Sequence, residues 1–366
     1  MFIQYLIFSF FITFFTFLES ASKKYKYGML LSFILLFIFI SIRYDFGNDY
    51  EGYLYNFNRI NSLGDIKGSQ FINLETGWIF LTRTFKNLGF HYLVAFLSLL
   101  YCIIIYFFIR NVLERKYLFL GLLCFLLNSG IFLINLSAMR QTLALILFLF
   151  SIKFIIERKI ILYVLIIYLA SLFHGSAIIL LPLYFIRYFK LNKTLNIIYF
   201  VVYLSFFFIS DKFVDIIKVI ILFIKPAYAI YTEDENNVKT VIGSGFGVIF
   251  SSINFILLLY FSSREKFENK YLEISIKLIV IFFILMPFAL SIGMIGRVNF
   301  YFSFFTIFMI PYIYVKIKHL YLKKLFLFLN LLLLIYGLNQ FFNSDIYKEK
   351  FNDYKTIFSI EALNKL

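Results

Sequence analysis

TLALILFLFSIKFIIERKIILYVLIIYLASLFHGSAIILLPLYFIR, residues 142–187, decides the fold. Three apolar runs, 142–156, 160–174 and 175–187, are separated by the basic triplet Glu157-Arg158-Lys159 and by the polar tip Phe173-His174-Gly175-Ser176. About 20 apolar residues carry a helix across the hydrocarbon core, and there every backbone polar group must find its partner inside the chain. The stretch from Ile160 to Ile186 is long for one such helix and short for two. Both of its flanks are basic, which a single crossing would not give, so the chain is expected to turn at the tip and return.

The same pattern extends in both directions. Further spans are predicted at 2–18, 28–42, 92–109, 117–136, 194–210, 245–262, 272–292, 298–315 and 320–338, about 12 in all. Over 366 positions, 62% of residues are hydrophobic and 22% aromatic, well beyond what a soluble domain keeps from water. The short alternating segments of a β-barrel are lacking. The expectation is an all-α, polytopic integral membrane protein forming one membrane domain over 1–366. The first apolar run lacks a basic leader and a small-residue cleavage site, and reads as a span and not as a signal peptide.

Threading the chain this way sorts its charge. The segments on one side hold twenty basic and six acidic residues, and those on the other hold fifteen and fourteen. Nearly all of the net +15 therefore falls on one face. A basic excess in short loops marks the cytoplasmic side, so both termini are expected outside. The charge needs no nucleic-acid partner. Cys102 and Cys124 fall inside predicted spans and read as packing residues, with no disulfide and no metal site. No nucleotide-binding motif is present, and no cofactor is predicted. Gly243-Ser244-Gly245-Phe246-Gly247 follows no strand and reads as a helix entry.

Three outer segments are long, about 43–91, 211–244 and 339–366. Amphipathic stretches such as Glu75-Thr76-Gly77-Trp78 and 213–224 are expected to lie flat at the membrane surface and roof a cavity. The tail, with Asp345, Tyr347, Lys348 and Tyr354, is expected to dock on the same face. The densest polar cluster is Arg43-Tyr44-Asp45-Phe46-Gly47-Asn48-Asp49-Tyr50-Glu51-Gly52-Tyr53. On a continuing helix Asp45 and Asp49 would share a face, whereas Gly47 and Asn48 would instead turn the chain. Arg43 is suited to bind an anion while a carboxylate accepts a proton; its bland role is a snorkelling arginine paired with aspartate.

Arg140, in Met139-Arg140-Gln141, and Arg297, in Gly296-Arg297-Val298, interrupt apolar surroundings at the same outer level. His174 occupies a hairpin tip. Ionisable groups near membrane depth usually face a cavity or a partner, which makes these positions candidates for function. Structural ion pairing is the competing role for the arginines, and simple hydration for the histidine. Tyr44, Tyr50, Tyr53, Trp78 and Tyr301 offer faces on which sugar rings stack.

These residues, in this order, resemble the EpsG family of exopolysaccharide polymerases, related in role to the Wzy polymerases of O-antigen and capsule. The resemblance is carried by Arg43 with Gly47-Asn48-Asp49-Tyr50 and Tyr53, then Glu75-Thr76-Gly77-Trp78, Met139-Arg140-Gln141, His174-Gly175-Ser176-Ala177, Gly296-Arg297 with Tyr301, and the tail Asn352-Asp353-Tyr354-Lys355. Asp353 stands where a proline is expected.

The resemblance implies a membrane glycosyltransferase on the outer face of a bacterial cytoplasmic membrane. Such an enzyme moves a growing glycan from undecaprenyl pyrophosphate to a newly flipped repeat unit. Its partners would be that lipid-linked glycan, membrane lipids, and chain-length regulator and flippase proteins. Arg43, Arg140 and Arg297 are then the candidate pyrophosphate clamp, since planar guanidiniums suit bidentate phosphate contacts. Asp49 or Asp45 is the preferred general base, with Glu75 in reserve, and His174 is placed to share a proton. The rival classes are a transporter or flippase of lipid-linked sugars, which should place charges along a path through the membrane, and a ligase or single-sugar transferase.

Overall fold

The computed structural model describes residues 1–60, 74–224, 246–291 and 293–359. In chain order the helices are α1 (Phe2–Ala21), α2 (Gly28–Ser41), α3 (Tyr50–Arg59), α4 (Thr76–Thr84), α5 (Phe90–Val112), α6 (Leu118–Leu127), α7 (Phe132–Ser137), α8 (Met139–Ile156) and α9 (Ile160–Ser171). A 3-10 helix containing Pro182 covers Gly175–Tyr188. There follow α10 (Lys193–Ile224), α11 (Phe246–Ser262), α12 (Lys270–Ser291), α13 (Gly293–Ser303), α14 (Met309–Lys316) and α15 (Leu320–Asn343). Two-residue strands, β1 (Arg43–Tyr44) and β2 (Lys355–Thr356), pair antiparallel.

The architecture is all-α. Among the described residues, six apolar stretches are long enough to cross a membrane: Phe2–Ala21, Phe90–Val112, Met139–Ile156, Lys270–Leu290, Ile295–Lys316 and Leu320–Asn343. Five expected spans, 28–42, 160–174, 175–187, 194–210 and 245–262, correspond to shorter apolar helices. At 1.5 Å per residue, α2 and α9 rise only about 21 and 18 Å, less than a hydrocarbon core of about 30 Å. Large apolar side chains such as Ile3, Ile7, Phe107, Ile161 and Phe328 lie exposed, as lipid-facing surfaces require.

Two compact units are present, Met1–Tyr184 with Phe328–Leu366, and Phe185–Leu327. In the first, α1 packs on α2 and α6, α2 on α5, α5 on α8, and α8 on α9. Small and polar groups let α1 and α2 approach: a Cβ on Gly28 would lie 2.0 Å from the Phe15 carbonyl oxygen. Ser32 donates to the Ile12 carbonyl at 2.6 Å. The buried carboxylate of Glu19 accepts from the Met29 amide at 2.8 Å and from Arg110 at 2.9 Å. Its charge thus meets both a helix N-terminus and a cation. In the second unit, α10 packs on α11 and α12, α11 on α14, and α12 on α13.

The expected continuous helix over 117–136 is broken. The chain leaves α6 at Asn128, whose carbonyl oxygen accepts from the amides of Ile131 and Phe132, and resumes as α7. A second break follows at Ala138. Non-helical backbone at membrane depth persists where protein encloses it, and here side chains replace the missing helical bonds. Thr142 Oγ1 donates to the Asn135 carbonyl at 2.7 Å, and Arg43 Nη2 donates to the Leu136 carbonyl at 3.0 Å.

Other boundaries move too. The helix carrying Arg140 begins at Met139 and not at 142, so the arginine sits in its first turn. Arg297 lies in the middle of α13 and not in a loop. The backbone of α10 runs through 213–224 as one helix, where a separate surface segment was expected. The entry at Gly243-Ser244-Gly245 and most of 211–244 lie outside the described residues.

Candidate functional site

After α2 the chain turns instead of continuing as a helix. Asp45 and Gly47 both take positive φ, 47° and 118°, which ends the shared-face arrangement of Asp45 and Asp49. A Cβ on Gly47 would come within 3.1 Å of Ser137 Cα, so the turn presses against the end of α7. The Asp49 amide donates to Ser137 Oγ at 3.1 Å, and Tyr50 Oη donates to the Arg43 carbonyl at 3.3 Å. This fixes α3 beside the joint between α7 and α8. The Arg140 amide then reaches Tyr53 Oη at 3.5 Å, and the Arg140 guanidinium lies 5.9 Å from the Tyr53 ring.

Glu75 precedes α4. Its Oε2 accepts from Arg140 Nη1 at 2.5 Å and its Oε1 from the Gly175 amide at 3.2 Å. The approach of α4 to the end of α9 makes this possible: the Gly77 amide donates to the Leu172 carbonyl at 2.9 Å. Beside Gly175, His174 Nδ1 and Ser176 Oγ share a hydrogen bond of 2.7 Å. Four segments remote in sequence, around Tyr53, Glu75, Arg140 and His174, therefore meet within hydrogen-bonding reach. The Glu75 and Arg140 side chains retain 17% and 25% exposure, so the pair is lodged in a wall and open on one side. Among the described residues, the buried Arg140 Nε has no hydrogen-bond partner. Desolvation raises the Tyr53 phenol pKa against the lowering field of Arg140, while Asp49 adds to the rise.

Asp45 and Asp49 are held differently. Lys350 from the tail bridges Asp45 at 3.1 Å and Glu51 at 2.9 Å. Burial raises the Asp45 carboxyl above its ordinary value, and the Lys350 hydrogen bond opposes that rise. Asp49 is exposed at the start of α3. The tail docks as expected. Tyr354 stacks on Phe39 at 4.5 Å and donates to the Phe39 carbonyl at 2.5 Å, Asn48 donates to the Ile346 carbonyl at 3.0 Å, and β2 pairs with β1. Lys350 and the Gly175 amide are contacts that sequence reading missed. No local pattern announces a bond between residues 305 apart, such as Lys350 to Asp45.

Arg43 is almost wholly buried, at 4% exposure. It faces a cavity of about 30 Å³ lined also by Tyr101, Asn135 and Thr142, where desolvation lowers its pKa to about 10. The expected sugar-stacking set is largely enclosed. Tyr44, Tyr50, Trp78 and Tyr301 are all buried, the first three in one aromatic and aliphatic cluster, so their faces are occupied by neighbouring side chains. Tyr53, 5.2 Å from Trp78 between ring centroids, keeps partial exposure. Arg297 and Tyr301 belong to the second unit, where Arg297 is exposed and Tyr301, about one turn on, is buried. Cys102 and Cys124 are buried free thiols.

No curated protein and no solved structure matches the chain. A family model, however, does match, and its extent takes in every motif assembled above: over residues 26–356 the sequence fits the EpsG family, and the chain belongs to that family of Wzy-like polysaccharide polymerases.

Proposed function

We propose that this polytopic polymerase joins undecaprenyl-pyrophosphate-linked oligosaccharide repeat units at the outer face of the bacterial cytoplasmic membrane. The carrying observation is the half-open Glu75–Arg140 pair, with Gly175 and Tyr53 around it. A guanidinium that keeps 25% exposure at the edge of a low-dielectric wall suits an anionic oxygen.

In the proposed reaction the bond from the anomeric carbon to the carrier pyrophosphate breaks, and one from that carbon to an acceptor hydroxyl oxygen forms. The pyrophosphate leaves with the electron pair and a base takes the hydroxyl proton. The barrier falls mainly through stabilising charge on the leaving group and orienting the acceptor. Arg140 meets the pyrophosphate, and Glu75 holds the guanidinium plane. Arg297 belongs to the other unit, and the proposed chemistry at this site does not call on it. Arg43 acts through the α7–α8 joint, which it holds by the Leu136 carbonyl. Asp49, exposed where Asp45 is tied to Lys350, is the preferred base, and His174 with Ser176 supplies a second proton path. Tyr53 offers a partly open ring to a sugar. No metal enters the proposal. A flippase that delivers the repeat units and a regulator of chain length are the expected protein partners.

A glycan gel of a clean deletion strain tests the reading. A ladder collapsing to a single repeat unit is the expected result. Total loss of glycan would mark a flippase, and accumulation of unattached long chains would mark a ligase; either overturns the proposal.

A further inference from the structure

Within the unit Phe185–Leu327 lies a polar cavity of about 500 Å³. Its walls carry five cations, Arg187, Lys190, Lys266, Lys270 and Lys277, against two carboxylates, Glu265 and Glu273. Both carboxylates are already engaged. Glu265 pairs with Lys316, and Glu273 is bridged by Lys270 at 2.9 Å and Lys277 at 2.8 Å. The Lys277 side chain is only 4% exposed, and its ammonium also donates to the Arg187 carbonyl at 3.2 Å. Lys190 and Lys266 are exposed, and neither makes an ion pair among the described residues.

Charge bias alone asks for basic loops on the cytoplasmic side, not for a concave site with a buried ammonium in its wall. Concavity matters because low-dielectric walls focus the field of the lysines into the cavity and concentrate anions there. The volume falls in the range of ordinary ligand sites. Phe189 and Phe267, also in the walls, already stack on Tyr199 and Tyr312, which leaves phosphate oxygens and not a flat ring as the group recognised.

We propose that this cavity binds a phosphate-bearing anion, recognised through Lys190 and Lys266 at its mouth. The loops that line it are those that charge bias assigns to the cytoplasm, so the phosphate comes either from an anionic lipid headgroup or from a soluble phosphate compound. The inference concerns binding alone and does not rest on the glycosyl-transfer reading.

The test uses the full chain in nanodiscs. Thermal unfolding is compared between phosphatidylcholine and phosphatidylglycerol discs, and inorganic pyrophosphate is titrated into the phosphatidylcholine discs. The Lys190→Gln/Lys266→Gln pair is set beside Lys318→Gln/Lys324→Gln, exposed lysines of the same unit outside the cavity. Stabilisation by phosphatidylglycerol that is lost in the first pair alone identifies a lipid headgroup. Stabilisation by pyrophosphate, with an apparent Kd at least tenfold weaker in the first pair alone, identifies a soluble phosphate. No stabilisation by either ligand, or equal responses in both pairs, overturns the proposal.

Discussion

Arg140 and Glu75 hold each other in a wall that is partly wet, so their mutual attraction is screened and contributes little by itself. Geometry decides what the pair is for. A guanidinium fixed by one carboxylate presents its remaining donors in a set plane, which an ammonium cannot do. Arg140→Lys keeps the charge and loses the fork. One missing charge-assisted hydrogen bond is worth about 1.5–3 kcal/mol, so if the bond forms in the transition state, polymer synthesis should fall roughly ten- to more than hundredfold. Asp49→Asn keeps the size and removes the base, with an expected loss on the order of 10²–10⁴. Rates are read in membranes matched for protein level. Lys318→Arg is the suitable comparison, because Lys318 is exposed and makes no ion pair among the described residues. Arg110 is unsuitable, because its partly exposed guanidinium neutralises the buried carboxylate of Glu19. Wild-type rates in both Arg140→Lys and Asp49→Asn would remove these residues from the site.

The elements meet at this site because backbones come close, and one contact can be tested without touching a charged group. A Cβ on Gly77 would lie 2.7 Å from the Leu172 carbonyl oxygen and 2.9 Å from Leu172 Cβ, too near to be absorbed without moving α4. Gly77→Ala should therefore displace Glu75 from Arg140 and Gly175 and lower polymer output at least tenfold in protein that still inserts. Gly52→Ala on the exposed side of α3 is the matched change, since nothing lies within 4 Å of its Cβ, and it should be neutral. Equal activity of the two variants, in the same gel assay, would show that the α4–α9 approach is dispensable. Much at this scale is legible from sequence. Apolar runs bounded by lysines give α1, α5, α8 and α15 almost as drawn, and the polar interruptions at 43–53, 75–78, 140 and 174–176 are the segments that converge. What composition hides is depth. Trp78 and Tyr50 look like sugar platforms in a polar motif, yet apolar area drives them inward and turns them into the core that holds the site. A break such as that at Ala138 is also illegible, because the carbonyls before it depend on partners, Arg43 and Thr142, that only the fold supplies.

At the scale of the whole molecule, the sorting of charge is what orients the proposed chemistry. Twenty basic residues against six acidic on one side leave the other nearly neutral, and the candidate site residues all fall on that nearly neutral side of the predicted topology. Orientation follows from the cost of translocating lysine and arginine in short loops, a rule about insertion that folding does not revise. Single cysteines can report it against a quiet background, since Cys102 and Cys124 are both buried. Cysteines replacing Asn48, His174 or Ile346 should react with an impermeant thiol reagent in intact cells, or in spheroplasts where an outer membrane intervenes. Those replacing Lys24, Lys116, Lys266 or Lys318 should react only after permeabilisation. Arg115 is left alone, because its guanidinium ties together the carbonyls of Glu19, Ser22 and Tyr25 and its loss would confound the reading. Labelling at 174 only after permeabilisation would separate His174 from the outer face. With Gly175 bound to Glu75, it would carry the whole Glu75–Arg140 pair to the cytoplasmic side, where a flipped repeat unit never arrives.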